Sequence, residues 1–141
     1  MAMKKIVLLI AVLSSISFVS VAQSTDSTSV AEISFVSTEV DYGMIEKGAE
    51  GTKIVEFTNI GKVPLVLSNV SPSCGCTVAE WTKDPVKPGE KGSITIKYNT
   101  NLVGPFHKSV RVFSNSKVSP TMIIIKGEVK PSKDDTSQIH E

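Results

Sequence analysis

Ser93-Ile94-Thr95-Ile96-Lys97-Tyr98 alternates polar and apolar side chains without a break. Successive side chains of an extended chain point to opposite faces, so this run reads as a half-buried β-strand. Val110 and Val112 alternate with Ser109 and Arg111 in the same rhythm, and Val55 and Phe57 alternate with Glu56 and Thr58. Residues 65–70 and 122–125 are denser apolar runs, which predict central strands of two stacked sheets. With residues 33–36 and 40–45 the set comes to about seven strands. Turn residues, not helix caps, separate them. Asn59-Ile60-Gly61 and Pro88-Gly89-Glu90 supply reversals in which glycine is expected to take a positive φ. No window of about ten residues or more carries the helical period. The pattern predicts an all-β fold, an immunoglobulin-like antiparallel β-sandwich, with a small barrel as its competitor.

Outward from this region both ends change character. Lys4 and Lys5 precede an apolar run over residues 6–13, and Ser20-Val21-Ala22 closes it with small residues before Gln23. Residues 1–22 therefore read as a signal peptide cleaved after Ala22, and a retained membrane anchor is the other reading. Residues 23–30 form a Ser/Thr-rich linker, 31–129 the sandwich domain, and 130–141 a polar, disordered tail. Export carries the mature chain out of the cytoplasm.

Charge narrows the partners. Lys plus Arg number 15 against 14 Asp plus Glu, and only one of the bases is an arginine, Arg111. Nucleic-acid binding needs a basic field and forked donors, and this chain offers neither. No stable membrane span is expected after cleavage.

Ser73-Cys74-Gly75-Cys76-Thr77 is the segment with distinctive chemistry. Two cysteines with no other partner tend to pair in an oxidising compartment, and Gly75 is expected to shape the loop by letting their Cβ atoms approach. The ring is small. Loop closure contributes about 1.6 kcal/mol for three residues against roughly 4 for fifty, so stability is a poor reason for the pair. Three readings stay open: a structural loop disulfide or buried thiols; a redox pair activated by Lys83 or Lys87; and a soft-metal site for copper(I) or zinc, drawing on His107, Met44 and Met122. Nucleophilic catalysis lacks a base, since His140 sits in the tail and His107 is expected to face solvent beside inward Phe106. Asp41, Glu46, Glu50 and Glu56 read as solvated surface acids, and Asn69-Val70-Ser71 as an accidental glycosylation triplet. Trp81 is read as a core or lid residue beside the cysteine loop, with ligand stacking as the alternative. No enzyme, resident cofactor or metal is expected.

The order of landmarks is familiar. Asp41-Tyr42-Gly43, Phe57-x-Asn59-x-Gly61, Ser73-Cys74-Gly75-Cys76-Thr77, Trp81, Pro88-Gly89-Glu90, Gly104-x-Phe106 and Gly127 follow one another over residues 39–129. This resembles a family of secreted bacterial domains of unknown function, common in Bacteroidota, that carries the SCGCT segment. That family is similar to the immunoglobulin-like domains of the Hydin and major-sperm-protein type. The resemblance implies the sandwich fold, export to the periplasm or cell envelope of a Gram-negative bacterium or outside the cell, and by fold-level analogy a scaffolding or interaction role. The expected function is a non-catalytic module binding an unknown protein or envelope partner. The alternative is a thiol-redox or copper-handling protein acting through Cys74 and Cys76.

Overall fold

The computed structural model describes residues 29–136. The leader read in residues 1–22 and nearly all of the linker lie outside the described residues. Among the described residues eight strands run in order: β1 (Ile33–Phe35), β2 (Glu39–Glu46), β3 (Thr52–Asn59), β4 (Leu67–Pro72), β5 (Thr77–Trp81), β6 (Lys91–Tyr98), β7 (Gly104–Ser114) and β8 (Thr121–Lys130). They form two four-stranded sheets, β1-β3-β6-β5 and β2-β8-β7-β4. The alternating residues meet between them. Val55, Phe57, Ile94 and Ile96 of one sheet and Val110, Val112, Ile123 and Ile125 of the other are buried in a single core. Each such side chain withdraws enough apolar surface to contribute about 1.5–3 kcal/mol, which sets the phase of every strand. The all-β sandwich is the fold.

Three features differ from the sequence expectation. The first is strand number: residues 77–81, not among the expected strands, form β5 and pair with β6 from Thr77↔Tyr98 to Trp81↔Ile94. Their alternation is hidden because Val78 lies outward and Ala79 inward, opposite to their hydrophobicity ranking. The second is direction. β2 pairs β8 in parallel, from Glu39↔Ile124 to Glu46↔Lys130. β1 and β2 are successive pieces of one extended run that leaves the first sheet at Val36 and enters the second without reversing, and side-chain alternation carries no strand direction. The third is position: residues 65–70, expected in a central strand, lie on the sheet edge as β4, with Leu65 bridging Val86 outside it.

The turns divide as well. Gly89 has φ 80° and Glu90 N–H donates to Lys87 O at 3.0 Å, the type II geometry expected of Pro88-Gly89. Gly61 does not have the expected positive φ. A Cβ there would come 2.5 Å from Val30 O, so the glycine is required by close packing of the incoming chain. The tail read as structureless from residue 130 begins with the end of β8, where Lys47 N–H donates to Lys130 O at 2.8 Å. One helical turn, α1 (Lys133–Thr136), follows.

Candidate binding groove and the cysteine loop

β1 stops after three residues, and β3 continues past it. Val36 N–H reaches Glu56 O at 3.4 Å, and beyond that point the outer edge of β3 has no neighbouring strand among the described residues. Alternate residues of a strand direct their amide and carbonyl to the same side, so Ile54 turns both toward this open edge as Glu56 turns its carbonyl. The crossing from β1 to β2 leaves a groove of about 550 Å³ between β3 and the outer side of β2. Its apolar residues are Val36, Val40, Ile54 and Val55, and its acids are Glu39, Asp41 and Glu56. Val36 is 81% exposed and Ile54 66%. Lys126 pairs with both Glu39 and Asp41, and Lys91 pairs with Glu56 at 3.8 Å. The hydrogen bond to Glu39 raises the Lys126 ammonium above its ordinary value.

Cys74 and Cys76 are joined by a disulfide with their Cα atoms 5.3 Å apart. The loop carrying them crosses from β4 to β5 and so links the two sheets at the edge opposite the groove. Cys76 packs against the core, while Gly75 at the tip is exposed. The buried Thr77 hydroxyl lies 3.9 Å from each sulfur. Gly75, expected to shape the loop through its backbone freedom, has no positive φ, and a Cβ there would meet open space. An ordinary turn joins the sulfurs without the left-handed region.

Trp81 is not beside this loop. The four-residue run of β5 carries it about 13 Å from Thr77. Its Nε1–H donates to Leu67 O at 3.3 Å, tying β5 to β4 across the sheets. Lys83 stands over its ring, on the face a stacked ligand would use. His107 is exposed on β7 beside buried Phe106, and Met44 and Met122 are exposed on β2 and β8. Among the described residues no group of three or more His, Cys, Asp and Glu gathers to hold a metal. The surface acids make local bonds. Asp41 accepts from Gly43 N–H at 2.7 Å and Glu50 from Thr52 N–H at 3.0 Å, and the Thr52 contact lowers the Glu50 carboxyl. Asn69 is exposed.

Sequence reasoning missed the groove. One signal was present: Ile54 interrupts the alternation, an apolar residue on the outward phase between Lys53 and inward Val55. Val36 gave none, because its exposure follows from β1 ending at Phe35.

A family model described as a protein of unknown function (DUF1573) matches residues 33–129. No curated protein matches the chain. Among solved structures, a protein of unknown function from Porphyromonas gingivalis W83 is similar at TM-score 0.64 and 20% identity, covering 70% of this chain. This chain spans 46% of that one's length. The ASH/PapD-like domain 7 of human CEP192 is similar at TM-score 0.60 and 9% identity, covering 83% of this chain and 98% of that one. The secreted serine protease VesC from Vibrio cholerae is similar at TM-score 0.53 and 16% identity, over 70% of this chain and 23% of the protease. At such identities these likenesses speak for the fold alone.

Proposed function

The chain belongs to the DUF1573 family of proteins of unknown function, and from that premise we propose an exported, non-catalytic module that binds an extended segment of a protein partner in the bacterial envelope. The observation that carries the reading is the groove beside β3. A strand edge that stops being covered halfway along its length offers backbone groups for a further strand, and Val36 and Ile54 offer apolar contact to its side chains. Export rests on the leader read in residues 1–22, and among the described residues no helix is long and apolar enough to cross a membrane. The non-catalytic part is supported by how the acid–base side chains are distributed. His107 is exposed on one strand, and Asp41, Glu50 and Glu56 are committed to local surface bonds.

A photo-crosslinking amino acid placed at Val36 or Ile54, in cells, tests this. A discrete protein adduct is expected from both positions and none from Glu80 on the opposite edge. Ile54→Lys should abolish the adduct formed from position 36 while leaving the fold intact. Absence of an adduct at both groove positions, or an adduct insensitive to Ile54→Lys, refutes the reading.

A further inference from the structure

We propose that Cys74–Cys76 is an exchangeable disulfide that oxidises a dithiol partner, with Thr77 and Lys108 stabilising the thiolate released from Cys76. The inference goes beyond the binding role, adding one stoichiometric thiol–disulfide exchange per molecule at the edge of the sandwich opposite the groove.

The loop is held by bonds that do not involve sulfur. On one flank Ser73 N–H donates to Ser109 O at 2.8 Å, and Ser109 N–H returns a bond to Ser73 Oγ at 3.1 Å. On the other flank Asn99 N–H donates to Cys76 O at 2.8 Å, and Thr77 pairs with Tyr98 in the β5–β6 ladder. Each flank is fastened to a different sheet. Breaking the S–S bond therefore releases only the Cys74-Gly75 tip. So small a ring also restrains the unfolded chain little, so the fold does not depend on it. A structural fastener has little left to fasten here.

The surroundings suit a thiolate. Thr77 is buried, and its hydroxyl is within reach of both sulfurs, so one O–H can turn to whichever carries charge. Lys108 follows the inward register of Phe106 and Val110 on β7 and is half-buried there, one residue before the Ser109 that binds Ser73. A lysine in the inward register one residue from the Ser73–Ser109 crossing brings positive charge to this end of the sandwich, which favours the charged sulfur. Lys83, the cation nearer in sequence, is committed to the Trp81 ring.

The exchange proceeds in two displacements. A partner thiolate attacks Cys74 Sγ, since Cys76 is packed against the core. A mixed disulfide forms, the Cys74–Cys76 bond breaks, and Cys76 departs as thiolate with the electron pair, receiving the Thr77 hydrogen bond. The partner's second thiolate then attacks its own sulfur in the mixed disulfide, forming the partner disulfide and releasing Cys74. The partner loses two electrons and two protons, and the cysteine pair gains both.

Equilibration of the full chain with graded ratios of reduced and oxidised glutathione, followed by alkylation and intact mass, measures the reduction constant. The wild type is expected to reach half-reduction within the glutathione range with its strand content and amide dispersion retained. Thr77→Val removes a hydrogen bond to the charged sulfur and should lower the constant about tenfold. Lys108→Ala should lower it about threefold, because the residue is only half-buried. Thr77→Ser and Lys108→Arg should restore wild-type values. Ultraviolet titration of the reduced protein should show the Cys76 thiolate forming at higher pH in Thr77→Val, a change that a purely structural threonine would not produce. A disulfide that stays closed throughout the range, a reduced protein that loses its fold, or constants unmoved in both Thr77→Val and Lys108→Ala would each overturn the proposal.

Discussion

Replacing Asn59 by alanine is expected to cost the domain a large part of its stability, although no catalytic or binding role attaches to the residue. Asn59 is 0% exposed at the end of β3. Its side-chain amide donates to Val63 O at 2.7 Å and Val86 O at 2.9 Å, and its Oδ1 accepts from Gly61 N–H at 2.9 Å. One side chain thus fixes the β3–β4 connection and the stretch that precedes β6. In the alanine variant Val86 O keeps its bond from Leu65 N–H, while Gly61 N–H and Val63 O lose their partner. Three bonds at about 1 kcal/mol each give about 3 kcal/mol, from a total of about 5–15 for a domain. At about 4–8 °C per kcal/mol for this size, the melting temperature should fall by about 12–24 °C. Denaturant unfolding followed by circular dichroism measures it, with an unchanged m-value as the condition. Asn59→Asp sharpens the test. The carboxylate keeps the Gly61 bond but sets charge against two carbonyl oxygens in a buried site, so its folded pKa rises above the unfolded value of about 3.9. A raised folded pKa means stability is fully present below about 3.9 and is lost as pH rises through the folded value. The deficit of Asn59→Asp against wild type should therefore shrink in acid. A loss under about 1 kcal/mol for alanine, or a deficit that grows in acid, would refute the reasoning.

Gly75→Ala should change the melting temperature by no more than a degree or two, because the site has ordinary φ and open space for a Cβ; thermal unfolding of the oxidised protein reads it. Gly127→Val should cost about 1–3 kcal/mol in urea unfolding, since a Cβ there meets Phe106 Cζ at 2.8 Å and Tyr42 Cβ at 2.9 Å. Burial raises the Tyr42 hydroxyl from its ordinary 10.0 to about 12, and its O–H donates to Ile96 O at 3.3 Å. The neutral form is favoured in the folded protein, so the wild type should lose stability as pH rises from 10.0 through about 12. Tyr42→Phe should show a flatter decline in urea midpoint across that window.

Much of the fold was legible because burial imposes a period of two on any strand that separates core from water. Ile94-Thr95-Ile96 and Val110-Arg111-Val112 announce their faces in any context. β5 escaped because its outward Val78 exceeds its inward Ala79 in hydrophobicity, and the pattern inverts. The cysteines declared their proximity through spacing, but Trp81 did not declare its distance from them, since a strand and a loop of equal length differ in reach.

The sequence by itself determined the β class and the inward face of most strands, because each is a local consequence of side-chain alternation. It also determined that Cys74 and Cys76 lie close, because only one residue separates them. Tertiary structure decided which strands are neighbours, that β2 runs parallel to β8, and that among the described residues β3 has no strand partner on its outer edge beyond Val36. It also decided that Asn59 joins segments up to 27 residues apart and that Lys108 follows the inward register at the cysteine crossing. These depend on pairings between distant segments, and alternation marks a strand's face but not its neighbour or its direction.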